Sequence, residues 1–415
     1  MRRKRHRKTN SILLLLSLLG LLVIFLMPSI YERASAPASS LPTASIDPTP
    51  TEQAVVTPSP SPEPTAPPEP VFADAVWMAV GDIMMHTPQL PGAFDKKTNR
   101  YNFKPFFAEV KPILEQGDWV IANLETPIAG VEYGYTGYPT FNAPTELGEA
   151  IKDAGFNLIT NANNHSLDKG ESGVFRTLEN LKKLGLPSKG TAASQEEADQ
   201  AVLSEKNGIV MGLLAYTYGT NGIPIPEGKP YLVSLIDEEK IKADIIRLRE
   251  AGADFITVSL HFGTEYQIIP NEEQKRLARS LVAAGADIIA GSHPHVVQPY
   301  EVLETTDENG HVKKGLIIYS MGNFISNQRG ESKDYGVIFK VNVRKNMTEG
   351  TVTITDVESI PTWVHRYKPD RSFRYRILPI EETLAASNDT LLTQADYEVL
   401  QKNYDMLRNR LDSMK

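Results

Sequence analysis

The stretch Gly291–Gln298, which reads GSHPHVVQ, decides how we interpret the fold. It places His293 and His295 directly after the apolar run 286–290, which has the composition of a buried strand. Pro294 cannot donate a hydrogen bond to a β-ladder, so we expect both imidazoles on the loop beyond the strand end. Such loops carry the functional groups of α/β proteins, and neutral imidazole is the commonest protein ligand for zinc-like metals. A lone H-x-H is weak evidence, so the interpretation depends on matching ligands elsewhere.

The composition excludes some classes of protein. The 415 residues suffice for one large or two medium domains. The chain has no cysteine, so disulfides and thiolate metal ligands are ruled out, a composition compatible with an extracytoplasmic bacterial protein. The net charge is −8, with 43 basic and 51 acidic residues, and six of the bases lie in the first ten positions. The remaining chain is therefore acidic, which argues against nucleic acid as a partner and requires a locally positive site for an anionic substrate.

The N-terminal segment has the pattern of a membrane anchor. A basic tail, 1–10, precedes an uncharged apolar stretch, 11–31, which is long enough to cross the hydrocarbon core of a bilayer. The basic flank predicts a cytoplasmic N-terminus and an extracytoplasmic body. A cleaved signal peptide is the alternative, since Ala34-Ser35-Ala36 has the form of a cleavage site. Because Pro37 would follow the cut, we favour an uncleaved single-pass anchor in the cell membrane.

The rest of the chain divides into three predicted parts. Residues 32–71 are rich in proline and small polar residues and have little apolar surface to bury, which predicts a disordered tether. A domain at 72–370 follows, and 371–415 is a C-terminal extension with a helix at 396–414. In the domain, apolar strands alternate with amphipathic helices, which predicts an α/β fold with buried sheets.

The predicted elements of the domain are short apolar runs and longer helical patterns. The strands cover 75–80, 119–122, 156–160, 209–216, 255–260, 286–290, 298–303, 315–320, 336–343 and 351–360. The helices cover 103–114, 145–154, 173–184, 238–251 and 271–284. Helices are sparse after His295 and turns such as Glu308-Asn309-Gly310 occur, so the later strands are expected to be antiparallel additions to the sheets.

Polar side chains stand at the ends of the predicted strands. Strands aligned in one sheet bring their ends to one edge, so groups far apart in sequence could converge there. Their oxygen and nitrogen atoms suit Mn, Zn or Fe, and one carboxylate could bridge two ions that acidify a bound water. The residues are Asp82, Glu125, Asn164, His165, His261, His293 and His295.

Each of these residues also has a purely structural explanation. Asp82 follows a glycine and could cap a turn, and Glu125 could be a surface carboxylate. Asn164 lies in an asparagine-rich turn, and His261 could be a core histidine whose hydrogen bonds are satisfied. The argument for a metal site therefore rests on all of these residues together, because four of the eight histidines fall at predicted strand ends.

Six sequence blocks occur in the order known from one family. They are GDIMM (81–85), ANLETPI (122–128), NANNHSLDKG (161–170), SLHFGTEYQ (259–267), GADIIAGSHPHVVQP (285–299) and YSMGNFISNQ (319–328). In these blocks the chain resembles the CapA/PgsA family of poly-γ-glutamate capsule synthesis proteins, in the calcineurin-like metallophosphoesterase superfamily. The resemblance implies a four-layer sandwich of two mixed sheets flanked by helices, with two divalent metal ions at the sheet edge. It also implies poly-γ-glutamate, or another anionic polymer, and subunits of a synthase complex as partners.

The resemblance implies a role for each residue of the site. The implied ligands are Asp82 and His295 for the first metal, Asn164, His261 and His293 for the second, and a bridging Glu125. His165 would contact the substrate or protonate the leaving group, and Asp168 would orient His165. Four residues without a standard metal role are expected to line the pocket or contact substrate: Glu265, Tyr266, Asn323 and Gln328.

The chain departs from the superfamily at the first motif. Members usually have D-x-H there, but the third position is Met84, and His86 lies two residues further on. The first metal would therefore lack one ligand. Three functions stay open: a metal-dependent hydrolase in capsule synthesis, export or anchoring, a non-catalytic scaffold of a membrane synthase complex, which the incomplete motif favours, and an extracytoplasmic phosphatase or nucleotidase.

Overall fold

The strands and helices form where the sequence has continuous apolar runs and amphipathic patterns, and the computed structural model describes residues 70–306 and 312–415. The strands are β1 Phe72–Ile83, β2 Phe94–Asp95, β3 Arg100–Tyr101, β4 Trp119–Leu124, β5 Leu158–Thr160, β6 Ser188–Lys189, β7 Val202–Lys206, β8 Ile209–Thr217, β9 Phe255–His261, β10 Ile288–Ser292, β11 Tyr300–Thr306, β12 Val312–Ile318, β13 Asn323–Ile325, β14 Tyr335–Asn346, β15 Val352–Tyr367 and β16 Arg374–Pro379. The helices are α1 Leu90–Ala93, α2 Lys104–Phe107, α3 Lys111–Leu114, α4 Glu146–Asp153, α5 Gly170–Leu184, α6 Gln195–Asp199, α7 Glu238–Glu250, α8 Glu272–Ala283, α9 Ile380–Ala386 and α10 Gln394–Leu411, with 3-10 helices at Thr87–Gln89, Val131–Tyr133, Pro230–Leu232 and Asp412–Met414.

Two mixed sheets form the centre of the domain. The first has the order β16-β15-β14-β1-β4-β5-β6, with β13 also paired to β1, and the second has the order β11-β12-β10-β9-β8-β7. In the first sheet β1, β4, β5 and β6 run parallel, and in the second β8, β9, β10 and β12 run parallel. The antiparallel strands lie at the flanks of both sheets.

Side chains alternate along each central strand between an inner and an outer core. In β1, Trp77 and Ala79 face the inner core, whereas Met78 and Val80 face the outer one. Trp77 Nε1 donates to Thr257 Oγ1 at 3.0 Å, which joins β1 to β9 of the other sheet. The two sheets therefore pack against each other, and their strands are apolar on both faces.

Helices cover the outer face of each sheet. Phe107 of α2, Leu147 of α4 and Leu181 of α5 belong to the outer core of the first sheet. Ile245 of α7 and Leu277 of α8 belong to the outer core of the second. The layers are thus helix, sheet, sheet and helix, which agrees with the expected sandwich of two mixed sheets flanked by helices.

Two details differ from the expectations. The single helix predicted over 103–114 is wrong, because the chain forms α2 and α3 with a break between them. Pro105 and Pro112 each stand in the first turn of one of these helices, and Pro112 cannot continue a preceding helix since it lacks an N–H and its ring would clash. The strand β12, expected to be antiparallel, runs parallel to β10, because the hairpin β11–β12 returns the chain to the direction of β10.

The residues after 370 complete the first sheet and the inner core. The strand β16 pairs with β15 at the sheet edge, and Leu400, Leu407 and Leu411 of α10 are buried in the inner core. Each such fully buried leucine contributes roughly 1.5–3 kcal/mol of burial free energy.

The membrane expectations concern a part of the chain that is not described. No helix within 70–306 and 312–415 is long and apolar enough to cross a membrane. The predicted tail 1–10, the predicted anchor 11–31, all of the predicted tether except its last two residues, and the predicted turn at Glu308-Asn309-Gly310 lie outside the described residues.

Candidate metal centre

Five parallel strands from the two sheets bring their carboxyl ends to one place. Both sheets are centred on parallel strands, so the side chains that follow those strands meet at a common edge. All seven side chains that the sequence placed at strand ends are buried there. They are Asp82 in β1, Glu125 after β4, Asn164 and His165 after β5, His261 at the end of β9, and His293 and His295 after β10.

Five of the six predicted metal ligands converge in overlapping groups, which Glu265, predicted to contact substrate, also joins. In each group the ligand atoms all lie within 4.8 Å of one another, and the groups are Asp82, Glu125 and His295, then Glu125, His261 and His293, then Glu265, His293 and His295. Glu125 is shared by the first two groups, as a bridging ligand must be. Asn164 belongs beside the second group, since its Oδ1 lies 2.8 Å from His261 Nε2.

Glu125 has no partner for its charge among the described residues. Its side chain is fully buried, and neither carboxylate oxygen has a hydrogen-bond partner. Nε2 of His261 lies 3.4 Å from Oε1, and Nε2 of His295 lies 3.8 Å from the same atom. Burial and then the charge of Asp82 raise the pKa of Glu125 well above its usual value. An unpaired buried carboxylate is strongly unfavourable, so this position fits a cation.

Two histidines of the cluster, His261 and His293, have a pKa that favours the neutral form, which binds metals. Burial, followed by the neighbouring imidazoles, lowers the pKa of His261 well below its usual value and that of His293 to about 3. Nδ1 of His293 is buried without a hydrogen-bond partner. Nδ1 of His261 lies 2.9 Å from Ser292 Oγ, a contact that holds the ring with Nε2 toward Glu125. Neutral imidazole nitrogens with carboxylate and amide oxygens are a donor set for Mn, Zn or Fe.

The loop that carries the H-x-H pair has an unusual backbone. His293 has φ 99°, His295 has φ 59°, and Tyr266 in the adjacent loop has φ 65°. Such conformations cost non-glycine residues on the order of 1 kcal/mol or more and persist only where the surroundings enforce them. Gly291, just before the pair, lies so close to the next strand that a Cβ would stand 2.1 Å from Tyr319 O. Close packing of the strand end therefore enforces the directions of both imidazoles.

His165 and Asp168 lie beside the ligands and form a pair. His165 Nδ1 is 2.7 Å from Asp168 Oδ2, which also accepts a hydrogen bond from Phe141 N at 2.6 Å. The Phe141 ring packs edge-on against the His165 ring at 4.6 Å. This arrangement orients the His165 ring and leaves Nε2 as the nitrogen for contact with substrate.

The cluster opens into a pocket of about 700 Å³. The lining includes His165, Asp168 and His295 and three of the four residues predicted to line it, which are Glu265, Tyr266 and Gln328. The fourth, Asn323, is instead fully buried behind His295, with its Oδ1 3.1 Å from His295 Nδ1 and its Nδ2 donating to Gln328 Oε1 at 2.9 Å. It lies there because β13 pairs with β1, which places Asn323 next to Asp82. Asn323 therefore supports a ligand and does not reach the pocket.

The first motif is incomplete in the structure as in the sequence. Met84, which stands at the third position of the D-x-H pattern expected from the resemblance, lines the pocket. His86 also lines the pocket, but its Nδ1 accepts from Asn327 N at 3.3 Å, and it belongs to none of the three ligand groups found among the described residues. Burial, followed by the neighbouring His295, lowers the pKa of His86 to about 4.

Three further residues of the site were missed by the sequence reasoning. Asn123 Nδ2 donates to Asp82 Oδ1 at 2.8 Å, and Asn221 Oδ1 accepts from Asn164 Nδ2 at 3.1 Å. The Tyr218 ring lies 4.5 Å from the His293 ring. Asn123 could have been found, because it stands two residues before Glu125 in the same block. Tyr218 and Asn221 follow β8 in a stretch whose sequence indicates only a turn.

Comparisons with known proteins agree with the resemblance in the sequence. The family model described as bacterial capsule synthesis protein PGA_cap matches residues 76–328. The chain is 30% identical over 294 residues to the PGA biosynthesis protein CapA of Bacillus subtilis (strain 168), an alignment that covers 69% of this chain and 73% of that protein. It is 30% identical over 279 residues to the capsule biosynthesis protein CapA of Bacillus anthracis, covering 65% of this chain and 64% of that protein, which is less than two thirds of its length.

Solved structures give more distant likenesses. The calcineurin-like phosphoesterase YfkN from Bacillus subtilis has 16% identity and a TM-score of 0.43, with 81% of this chain and 98% of that chain covered. The NAD nucleotidase NadN of Haemophilus influenzae has 13% identity and a TM-score of 0.43, with 82% of this chain and 61% of that chain covered. At such identities and TM-scores we infer nothing about activity from either protein.

Proposed function

Because this chain belongs to the PGA_cap family of bacterial capsule synthesis proteins, we propose that it is a metal-dependent hydrolase that acts on a capsular polymer outside the cell. The polymer we propose is poly-γ-glutamate, in line with the resemblance of the six sequence blocks. The predicted anchor at 11–31 and tether at 32–71 would hold the domain near the outer face of the membrane, where a polymer synthase complex would deliver its product.

The observation that carries this proposal is that both carboxylate oxygens of the buried Glu125 lack a hydrogen-bond partner among the described residues. A fully buried carboxylate with two unpartnered oxygens, grouped with His261 and His293, is costly unless a cation binds there. The residues that would hold two divalent ions are Asp82, Glu125, Asn164, His261, His293 and His295. When bound, such ions supply a water acidified toward hydroxide and a positive charge for the substrate. The same ions would also give this acidic protein the locally positive site that an anionic substrate requires.

The residues around the cluster are placed to handle the substrate. Asp168 accepts from His165 Nδ1 and so keeps a proton on that nitrogen, which leaves Nε2 facing the substrate, where it would take up a proton from water and pass it to the leaving group. Tyr266 and Gln328 line the pocket and contact each other, with Gln328 Nε2 3.4 Å from the Tyr266 hydroxyl. These two side chains would orient the substrate. Amide and phosphoester bonds are both compatible with this arrangement.

The test is metal analysis together with hydrolysis assays on the full chain. We expect divalent metal to copurify, and we expect metal-dependent cleavage of poly-γ-glutamate or of one class in a panel of phosphomonoesters and phosphodiesters. His293→Ala should lose both metal and activity, whereas His365→Ala, which removes a buried histidine outside the cluster, should keep both. A metal-free protein, or a His293→Ala variant with unchanged activity, would end the hydrolase proposal. Cleavage of phosphoesters alone would favour a phosphatase or nucleotidase.

A non-catalytic scaffold within a synthase complex is the second candidate. The observation that favours it is Met84, which removes a ligand from the first motif. The two candidates differ in cells: a scaffold would still support polymer production when it carries His293→Ala, and it would copurify with membrane synthase subunits.

A further inference from the structure

The first metal position has fewer protein ligands than the second. The group of Asp82, Glu125 and His295 has no member from the first motif beyond Asp82, because Met84 offers only a weakly coordinating thioether. His86 does not fill the gap, since it belongs to none of the three ligand groups found among the described residues. A metal held by the bridging carboxylate and two further ligands would bind weakly unless another side chain joins it.

Glu265 lies beside His295, the histidine of the first metal position. One of its carboxylate oxygens is within 4.8 Å of the ligand atoms of His293 and His295. It belongs to the loop after β9, and both it and Met84 line the same pocket. The side chain is exposed, so it approaches the cluster from the solvent side, opposite to the buried Glu125.

The loop of Glu265 is attached to the H-x-H loop through the two residues that follow Glu265. Tyr266 N donates to Pro294 O at 2.7 Å, directly between the two histidines. Gln298 Nε2 donates to Gln267 O at 2.7 Å. Tyr266 also adopts φ 65°, a conformation that these contacts enforce. The position of Glu265 beside the imidazoles is therefore built into the backbone and does not depend on a flexible side chain alone.

An independent observation points to a ligand at this place. His293 is 3% exposed, and its Nδ1 has no hydrogen-bond partner, although a buried imidazole nitrogen ordinarily has one. The neighbouring Glu125 oxygens are likewise unpartnered. Glu125 and Glu265 belong to two ligand groups that share His293, and the unpartnered atoms of Glu125 and His293 fit an ion better than they fit a structural network.

We propose that Glu265 is a metal ligand that replaces the histidine missing at position 84. This inference rests on the metal centre of the proposed function and assigns Glu265 a different role from the substrate contact expected from the sequence. It makes the two metal positions chemically unequal. The first would be rich in carboxylate oxygen, from Asp82, Glu125 and Glu265, which suits Mn²⁺, whereas the second, with two imidazoles, suits Zn²⁺ or Fe²⁺.

The experiment measures Mn²⁺ binding to the full chain after chelation and reloading, with stoichiometry from elemental analysis and affinity from the electron paramagnetic resonance signal of free Mn²⁺. We expect two ions on the unaltered chain and an affinity for one of them that falls about tenfold or more in Glu265→Gln. Adding Met84→His to Glu265→Gln restores the histidine position of the superfamily and should return the lost affinity. Glu349→Gln, which neutralises an exposed carboxylate in the turn between β14 and β15, is the matched control and should change nothing.

Several outcomes would overturn this assignment. Unchanged affinity in Glu265→Gln, with a higher KM as the only effect, would make Glu265 a substrate contact. Loss of the ion without recovery in the double variant would mean that Glu265 acts through its charge or its loop, and absence of Mn²⁺ from the unaltered chain would remove the site. Hydrolysis is measured separately at saturating metal. If Glu265→Gln loses the ion and Met84→His restores it while no substrate is cleaved, the ligand assignment stands and the hydrolase proposal fails.

Discussion

Two buried carboxylates at opposite ends of the sheets show how differently this protein treats charge. Asp287, just before β10, is 1% exposed and contacts Arg249 and Lys313, and it accepts from Ile256 N at 2.7 Å. Glu125, just after β4, is equally buried and has no such partner among the described residues. The charge of Asp287 is neutralised within the protein, whereas the two oxygens of Glu125 are left for a ligand.

The same contrast holds for two buried histidines. His365 lies between the rings of Trp363 and Tyr367, and its Nδ1 accepts from Arg376 Nε at 3.0 Å. His293 is as deeply buried, but its Nδ1 has no partner. Burial alone therefore does not distinguish these two histidines, whereas the partner of Nδ1 does.

The largest expected effect comes from removing the charge of Asp287, which is paired with Arg249 and Lys313. Asp287→Asn leaves Arg249 and Lys313 beside a neutral amide, and loss of one member of a buried charge group costs about 3–5 kcal/mol. We expect a loss of that size in the free energy of unfolding, measured with urea at pH 7, and no change in metal affinity. A loss below about 1 kcal/mol, the level of a surface pair, would show that Asp287 is not a closed structural site.

Metal binding at the cluster around Glu125 should raise the free energy of unfolding by a slightly smaller amount. A metal present at about 100 times its Kd adds about 2.7 kcal/mol to the free energy of unfolding. We expect this gain, seen as a higher Tm, in the unaltered chain and in Asp287→Asn, and we expect it to vanish in His293→Ala. An equal gain in His293→Ala would place the metal elsewhere.

A pH series tests whether His365, whose Nδ1 has a partner within the protein, stays neutral in the folded state. Burial, followed by the charge of Arg376, lowers the pKa of His365 from 6.5 to about 4. Between pH 6.5 and 4, His365 is protonated in the unfolded chain but stays neutral in the folded chain. The free energy of unfolding therefore falls as the pH is lowered from 6.5 toward 4. In His365→Gln this loss should shrink by about 2 kcal/mol, measured by urea unfolding between pH 7 and 4. An unchanged pH profile would mean that His365 is protonated in the folded protein.

The smallest predicted effect concerns the support of one ligand. Ser292 Oγ lies 2.9 Å from His261 Nδ1 and holds the ring toward Glu125. Ser292→Ala should weaken metal binding about tenfold, the effect usual for loss of a residue that orients a metal ligand. Isothermal titration checks this, with Ser320→Ala, a buried serine that bonds Val296 O, as the matched control. Equal affinities in the two variants would contradict the role of Ser292.

Much of the fold followed from local patterns in the sequence. The runs 119–122, 209–216 and 255–260 form β4, β8 and β9, because continuous apolar segments of that length are buried strands in parallel sheets. The helix predicted over 103–114 failed, since Pro112 starts a new helix where the apolar pattern continues. The expected antiparallel pairing holds between β12 and β11 but not between β12 and β10, which run parallel, because strand direction depends on which neighbour a strand meets.

The candidate site was predictable in its residue types and less so in its roles. Asp82, Glu125 and the histidines stand directly at strand ends, so their meeting followed from parallel topology. Asn323 was placed in the pocket by its sequence block but is buried behind His295, since the pairing of β13 with β1 is a long-range event. Tyr218 and Asn221 reach the site only through the loop after β8, which has no signature of its own.

The sequence by itself determined which chemical groups follow each strand, because apolar runs and the residues that end them are local along the chain. Only the tertiary structure decided which of those groups find partners. His261 and Glu125 are far apart in sequence, and their contact exists because two sheets pack with their carboxyl ends together. Asp287 and Glu125 are the same kind of group in the sequence, and only the cations that packing brings to Asp287 separate a structural charge from one left open for a metal.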